Sequence, residues 1–521
     1  MLSFKSSESV YYLVFIVVFL ILAVFASQLY IYLDDASYIF PSLTGNYLTH
    51  FSNYLRDNGF NRPFALFYYY AILKLYAVNS QLAHLIPLSG FIIGGFILFK
   101  ILILQGLKKN YAFLTSLFIL SLPFAAEVYS WFSASIGVWA LLIFYLEIYL
   151  IEKFADRRLN IILIVLLQSI VSFFYETTLF MAIPLAYLIV IRSVSEQNFN
   201  YRKFFKNLFI LFLPAAVYLT IKISVPHTIP SEFEISKFTT VIKYFGNYIS
   251  QFYELFFTKG VILFWLESFR TGLSYLFNSL LFALLFLFLI FLLFSISLNN
   301  NNSPGKIISS HKIIFWLLVL LSASLPLVWK KYYLPFRTLY LPLSILLILF
   351  SFKLSDFIFH QRSLLAVIIK DYAKPLKLAI ASIAVYFLFI QITMLEFYQK
   401  QYRHDLKVVE EIRKISENLG YNSAVRTNLM LVQMPHNTLT PYIYGDYILS
   451  MFNRSWTAVG FIDLHSGTIK EVAIENIDNN FYSSKIDKAD FMRLRPLTVL
   501  KFNGIENCYI KRCFQVEFNA T

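Results

Sequence analysis

The chain reads as a polytopic α-helical membrane protein of about eleven transmembrane helices, followed by a small C-terminal α+β extracytoplasmic domain. Three observations point there. The 521 residues are 58% hydrophobic and only 14% charged, a balance foreign to soluble domains. Apolar runs long enough to cross a ~30 Å hydrocarbon layer recur along the chain. From residue 396 the composition turns ordinary, and alternating strand-like runs replace the apolar ones. The 56 Phe and 36 Tyr suit a lipid-facing surface with aromatic belts.

The apolar runs lie at 10–33, 82–105, 111–126, 134–151, 160–174, 178–191, 207–225, 273–298, 313–329, 338–352 and 376–395. The first is too long for a signal-peptide core and lacks a small-residue cleavage site, so it counts as a span. The stretch 160–191 is either one long tilted helix or a hairpin turning at Tyr175-Glu176-Thr177. Charge decides. With the hairpin and an inner N-terminus, eighteen Lys and Arg between Lys5 and Lys377 lie inside, against about ten outside. A single helix would export the cluster Arg192–Lys206, against the positive-inside rule. The net charge of +14 is therefore an inner-face signature, and no nucleic-acid partner is implied.

The transmembrane unit spans 1–395, with outer loops at 34–81 and 226–272. Arg62–Val78 opens with Pro63 at a helix N1 position, is rich in Tyr, and reads as a helix lying at the outer interface. The loop 226–272, broken by Pro226 and Pro230, carries a second aromatic amphipathic stretch through Phe264-Trp265. Asn299–Gly305 is a flexible inner linker, and no internal repeat marks two transporter halves. The domain 396–521 begins with a helix over Glu396–Leu419 that continues the last span and ends at Gly420. Strands are expected at 424–432, 497–502 and 509–512. Its two cysteines, Cys508 and Cys513, are the chain's whole complement and fit a disulfide in an oxidising compartment.

With that topology, ionisable groups gather at the outer membrane edge. Carboxylates come from the first three outer segments: Asp34 and Asp35, Glu127, and Glu176. Basic groups are Arg62 and the late cluster Lys330, Lys331 and Arg337. Adjacent aspartates beside hydrocarbon are costly unless paired, hydrated or used. A carboxylate there can take the proton of an incoming hydroxyl, while Lys and Arg bind a departing phosphate. Each has a plainer reading: helix caps for the acids, headgroup anchors for the lysines, a helix start for Arg62. His50, His227 and His436 have no metal-ligand spacing. A divalent ion bridging Asp35 and a phosphate is compatible with these residues but not encoded by them. No Walker loop, G-x-S-x-G or G-x-G-x-x-G occurs.

A first span ending in Asp34-Asp35, the Asn61-Arg62-Pro63 interfacial helix and an acidic second outer segment resemble the GT-C superfamily of integral-membrane glycosyltransferases. Within it the likeness is greatest to bacterial GtrII-type glucosyltransferases that modify O-antigen, and looser to protein mannosyltransferases and lipid A aminoarabinose transferases. It covers roughly residues 10–350 in architecture. The resemblance implies inverting transfer from a polyprenyl-phosphate sugar to a glycan or lipid acceptor such as lipopolysaccharide. Asp34 or Asp35 would be the base, Glu127 the second acid, and Lys330, Lys331 and Arg337 the phosphate site. The expected setting is a bacterial inner membrane, N-terminus cytoplasmic and C-terminal domain periplasmic. Two departures stand: the second acid is Glu, and the C-terminal domain carries no family motif. A rival reading, an O-antigen ligase or polymerase, would use His227 and Arg270. A transporter or flippase of lipid-linked sugars would need ionisable groups within the spans, whose middles read as nearly charge-free.

Overall fold

The computed structural model describes residues 7–31, 35, 48–49, 51–53, 62–154, 158–194, 201–224, 245–251, 253, 257, 259–298, 309–330, 339–360, 373–422, 424–434, 452, 455–467, 469–476, 481–483, 486–503 and 514–520. Among them, six helices are long and apolar enough to cross a membrane: Ser9–Ala26, Ser80–Leu104, Phe132–Lys153, Leu280–Ser297, Tyr340–Phe357 and Lys374–Asn418. The protein is a multi-pass helical membrane protein. Other apolar helices, at Pro63–Val78, Ile162–Phe174, Ala182–Arg192, Leu208–Ile221 and Ser310–Ser324, are shorter.

In chain order α1 is Ser7–Ala26, α2 Pro63–Val78, α3 Ser80–Leu104, α4 Lys109–Ser121, α5 Ala125–Ser130, α6 Phe132–Phe154 and α7 Arg158–Phe174. Then come α8 Ala182–Val194, α9 Tyr201–Ser224, α10 Lys259–Asn278, α11 Leu280–Leu298, α12 Ser310–Lys330, α13 Tyr340–His360 and α14 Ala373–Asn418. Local chemistry sets several ends. The Asn79 side chain accepts the Leu82 N–H at 2.9 Å and caps α3. Gly106, at φ 99°, closes α3, and the Leu107 N–H reaches back to the Leu102 carbonyl at 2.9 Å, a Schellman ending. Gly420, at φ 85°, ends α14 the same way, with Tyr421 bonded to Ser416, as the sequence expects.

Several apolar runs do not coincide with single helices. The run 10–33 leaves helical geometry at Ala26, and Leu29 and Ile31 continue as buried non-helical backbone. The run 273–298 is split at Ser279, whose hydroxyl accepts the Phe282 N–H at 3.3 Å and starts α11 afresh. Residues 259–272, assigned to an outer loop, are helical in α10. The chain does break at Tyr175: α7 stops at Phe174, Glu176–Met181 forms a 3₁₀ turn, and the Thr178 hydroxyl bonds the Val171 and Tyr175 carbonyls.

Pro123 interrupts the chain between α4 and α5. The freed Leu120 and Leu122 carbonyls accept the Gln391 amide of α14 at 2.8 and 2.9 Å, and Tyr129 donates to the Gln391 oxygen at 2.9 Å. Backbone groups in hydrocarbon need such partners, and here one side chain from another helix supplies them. Far from these, Gln105 joins four helix ends. It donates to Glu152 (3.1 Å) and accepts from Trp316 (2.8 Å) and, at its carbonyl, from Lys312 (2.6 Å), while Arg192 pairs with Glu152.

The C-terminal residues form a five-stranded sheet, β3-β2-β1-β4-β5, with β1 Thr427–Met434, β2 Ile469–Asn476, β3 Phe481–Tyr482, β4 Leu497–Phe502 and β5 Phe514–Ala520. The central β1 runs parallel to β2 and β4, and only the outer pairs are antiparallel. The arrangement is thus mixed α/β rather than the expected α+β. A parallel pair needs a crossover, and α15 (Ser455–Ser466) lies in the β1–β2 connection and packs on β2. The strand expected at 509–512, and Cys508 and Cys513, lie outside the described residues.

One apolar core joins this sheet to the helical bundle. Leu429, Leu431, Val472 and Leu500 pack with Val408 and Ile412 of α14, and the cluster continues through Tyr402 to Ile31, Ile72, Ala83 and Phe132. The bundle therefore has a sheet end, where α3 and α6 begin, and an opposite end held by Gln105.

Candidate active site

The sheet end is where Asp35 sits. Its carboxylate is 1% exposed and accepts two backbone N–H groups at the start of α6, from Phe132 at 3.1 Å and Ser133 at 2.9 Å. The first N–H groups of a helix have no partner in their own helix, and the helix dipole favours a negative charge there. Asp35 therefore bridges the segment after α1 to the α5–α6 junction, four residues beyond the buried Glu127.

Tyrosines surround this junction. Tyr69 donates to the Ser133 carbonyl at 3.0 Å, and Tyr68 shares a 2.6 Å bond with Ser135, whose hydroxyl also reaches the Phe132 carbonyl. Burial pushes the Tyr68 phenol up to about 12, with the Asp35 charge adding to the shift and the Ser135 bond opposing it. Tyr76 is likewise pushed up to about 12, mainly by burial; its bond to the Ile31 backbone opposes that, and the Tyr30 and Asp35 charges reinforce it. The Asp35 field thus reaches both rings. His84, fully buried on α3, stacks on Phe132 with centroids 4.4 Å apart.

Tyr402 of α14 brings the C-terminal part to the same place. Its ring stacks flat on Tyr30 (4.2 Å, 1°), and its hydroxyl bonds His465 of α15 at 3.3 Å. Leu29, Tyr30, Ile31, Ser130, Tyr398 and Tyr402 line a narrow crevice here. Such walls combine apolar ring faces with hydroxyl edges, a surface suited to amphipathic ligands. One turn along α14, Gln401 donates to Asp405 at 2.9 Å, and His404 lies 3.5 Å from the same oxygen, all three buried.

The other expected residues fall as follows. Arg62, at φ 49°, lays its guanidinium over the Tyr175 ring at 4.9 Å, joining the first and third connecting segments beside Glu176 of the 3₁₀ turn. Arg270 lies exposed on α10. Lys330 ends α12, with its side chain outside the described residues, as are Asp34, Lys331, Arg337 and His227 entirely. Among the described residues no three His, Cys, Asp or Glu side chains gather as a metal site.

The spans are not as free of ionisable groups as their composition suggests. Glu147 lies within the α6 span, 0% exposed. His84, Tyr402 and the Gln401–Asp405 group also escape a reading of loops alone. The available signal was polar residues at buried positions of a helical repeat, such as Gln401 and Asp405 four apart. No family model, curated protein or solved structure matches the chain.

Proposed function

We propose that the protein is an integral-membrane glycosyltransferase that moves a monosaccharide from a polyprenyl phosphate to a hydroxyl of a cell-envelope glycan or lipid. In this reading eleven helices cross the membrane, and the C-terminal sheet stands on the extracytoplasmic side. The acceptor O–H gives its proton to the Asp35 carboxylate as its oxygen attacks the anomeric carbon. The bond from that carbon to the phosphate oxygen breaks, and the phosphate leaves with the electron pair toward Lys330, Lys331 and Arg337. Asp34 is the alternative base, and Glu127 assists from the adjoining α5.

The observation that supports this most is the seating of Asp35. Two N–H bonds and a helix N-terminus fix a buried carboxylate at a junction to which Tyr68 and Tyr69 also bond, the positioning that proton transfer at a reacting hydroxyl demands. The same bonds also serve a structural cap, so the test must separate the two roles. Membranes carrying Asp34→Asn or Asp35→Asn are assayed for transfer from a panel of polyprenyl-phosphate hexoses. Loss in Asp35→Asn with an unchanged melting temperature supports the mechanism; full activity in both variants ends it.

A further inference from the structure

The transferase reading makes no use of Glu147. It is completely buried on α6, and neither carboxylate oxygen has a hydrogen-bond partner. On α7, Gln168 is equally buried, and neither its amide oxygen nor its nitrogen has a partner; the Ser172 hydroxyl, four residues on, is in the same state. Three unpartnered polar side chains on two packed helices are a large debt to leave in an apolar layer. An isolated carboxylate taken into low dielectric is strongly disfavoured in its ionised form, and each orphaned amide or hydroxyl adds to the cost.

The helices bring Glu147 and Gln168 to similar depths. α6 and α7 pack together and are joined across residues 155–157. At 1.5 Å per residue, Glu147 lies about 10 Å from the end of α6 and Gln168 about 15 Å from the start of α7. They are thus about one helical turn apart in depth. Both lie on buried faces of their helices. Val138, Leu141, Leu142 and Tyr145 of α6 line a crevice with Gly90 and Gly94 of α3. Glu147, two residues past Tyr145, is about 200° round the helix and points away from α3. On α7 the exposed residues are Ile162, Leu163, Leu166 and Ile170, whereas Ile164, Gln168, Val171 and Ser172 are buried.

Among the described residues no cation pairs with Glu147. α7 carries no ionisable residue beyond Arg158. On α8, Arg192 is paired with Glu152 and Tyr187 bonds His311 of α12; on α3, Lys100 sits over the Tyr12 ring and His84 stacks on Phe132. Tyr145 faces the α3 side, and Lys153 bonds Tyr149 at the end of α6.

We propose that Glu147, with Gln168 and Ser172, forms an intramembrane site for a small monovalent cation, a proton or Na⁺. One carboxylate supplies one negative charge, and amide and hydroxyl oxygens complete a hard oxygen set. A single charge matches a monovalent ion, and ionisable groups kept in apolar spans are typically proton or ion sites.

Dicyclohexylcarbodiimide, an apolar reagent that adds to protonated carboxylic acids, tests this on the purified full-length protein in nanodiscs. Peptide mass spectrometry is expected to find the adduct on Glu147, decreasing as pH rises, and absent from Glu147→Gln. Protection by NaCl but not by choline chloride identifies Na⁺; pH dependence without protection identifies a proton. Gln168→Leu is expected to shift the pH or sodium midpoint while the melting transition persists. Two results overturn the site: Glu147 unmodified at every pH when folded yet modified in detergent-unfolded chains, or modification indifferent to both pH and Na⁺. The readout needs no transfer activity, so it stands or falls separately from the glycosyltransferase reading.

Discussion

Asp35 caps the start of α6, and the proposed transfer would add a second job that substitution can separate from the first. Asparagine keeps one acceptor oxygen for the start of α6 but cannot take a proton, so Asp35→Asn is expected to lower transfer by about 10²–10⁴-fold with a small stability change. Asp35→Ala is expected to lose the cap as well, costing about 1 kcal/mol in the melting equilibrium. The neighbouring phenols give a pH signature. Free tyrosines ionise near 10.0, whereas Tyr68 and Tyr76 are pushed up to about 12. Between those values the unfolded chain binds fewer protons than the folded one, so stability falls as pH rises, and is intact below pH 10. Melting temperatures across that window are expected to drop less steeply in Tyr68→Phe and Tyr76→Phe. At this scale the sequence was legible for Asp35, because a carboxylate just beyond an apolar run stands out. It was silent on Glu147 and His84, since a lone ionisable residue in an apolar run shows its surroundings only when the neighbouring helices are placed.

The helices themselves were readable from apolar runs, but their ends were not. Hydropathy continued past Ala26 because Leu29 is buried in the bundle core and Ile31 in the core beneath the sheet, not because the helix goes on. Ser279 broke a run with a single cap that hydropathy does not register. Hydropathy ran unbroken over 111–126, yet α4 ends at Ser121 ahead of Pro123, and the two carbonyls freed there are bonded by Gln391, some 270 positions away. Gln391→Leu is expected to cost about 2–5 kcal/mol by leaving both unpaired, measured as a lower thermal midpoint in detergent. Glutamine should not be replaceable there by methionine of similar length. The parallel pairing of β1 could not be read from alternation, which is the same for parallel and antiparallel strands and needs long-range partners to resolve.

For the whole molecule, eleven crossings would put the two ends on opposite sides, and this is open to direct measurement. In a chain with Cys508→Ser and Cys513→Ser, Glu410→Cys on the exposed side of α14 is expected to react with a membrane-impermeant maleimide in intact spheroplasts. Lys153→Cys, at the opposite end of α6, is expected to react only after the membrane is opened. Reversed labelling would invert the orientation and remove the oxidising setting for the two cysteines. Removing residues after Leu419 would uncover Val408 and Ile412 of α14, against which the sheet packs, so the truncated chain is expected to elute as aggregate on size exclusion.

The length of α14 sets a geometry of its own. Its 46 residues form one unbroken helix, about 69 Å long. A hydrocarbon layer of ~30 Å accounts for less than half of that. The remainder is a stalk already crossed by Tyr402 and closed by Gly420, with the sheet fastened along it through Val408 and Ile412. A sheet mounted this way cannot swing freely on a tether. It rides at a set distance along that helix, like a mark on a ruler, at the end of the bundle where Asp35 caps α6.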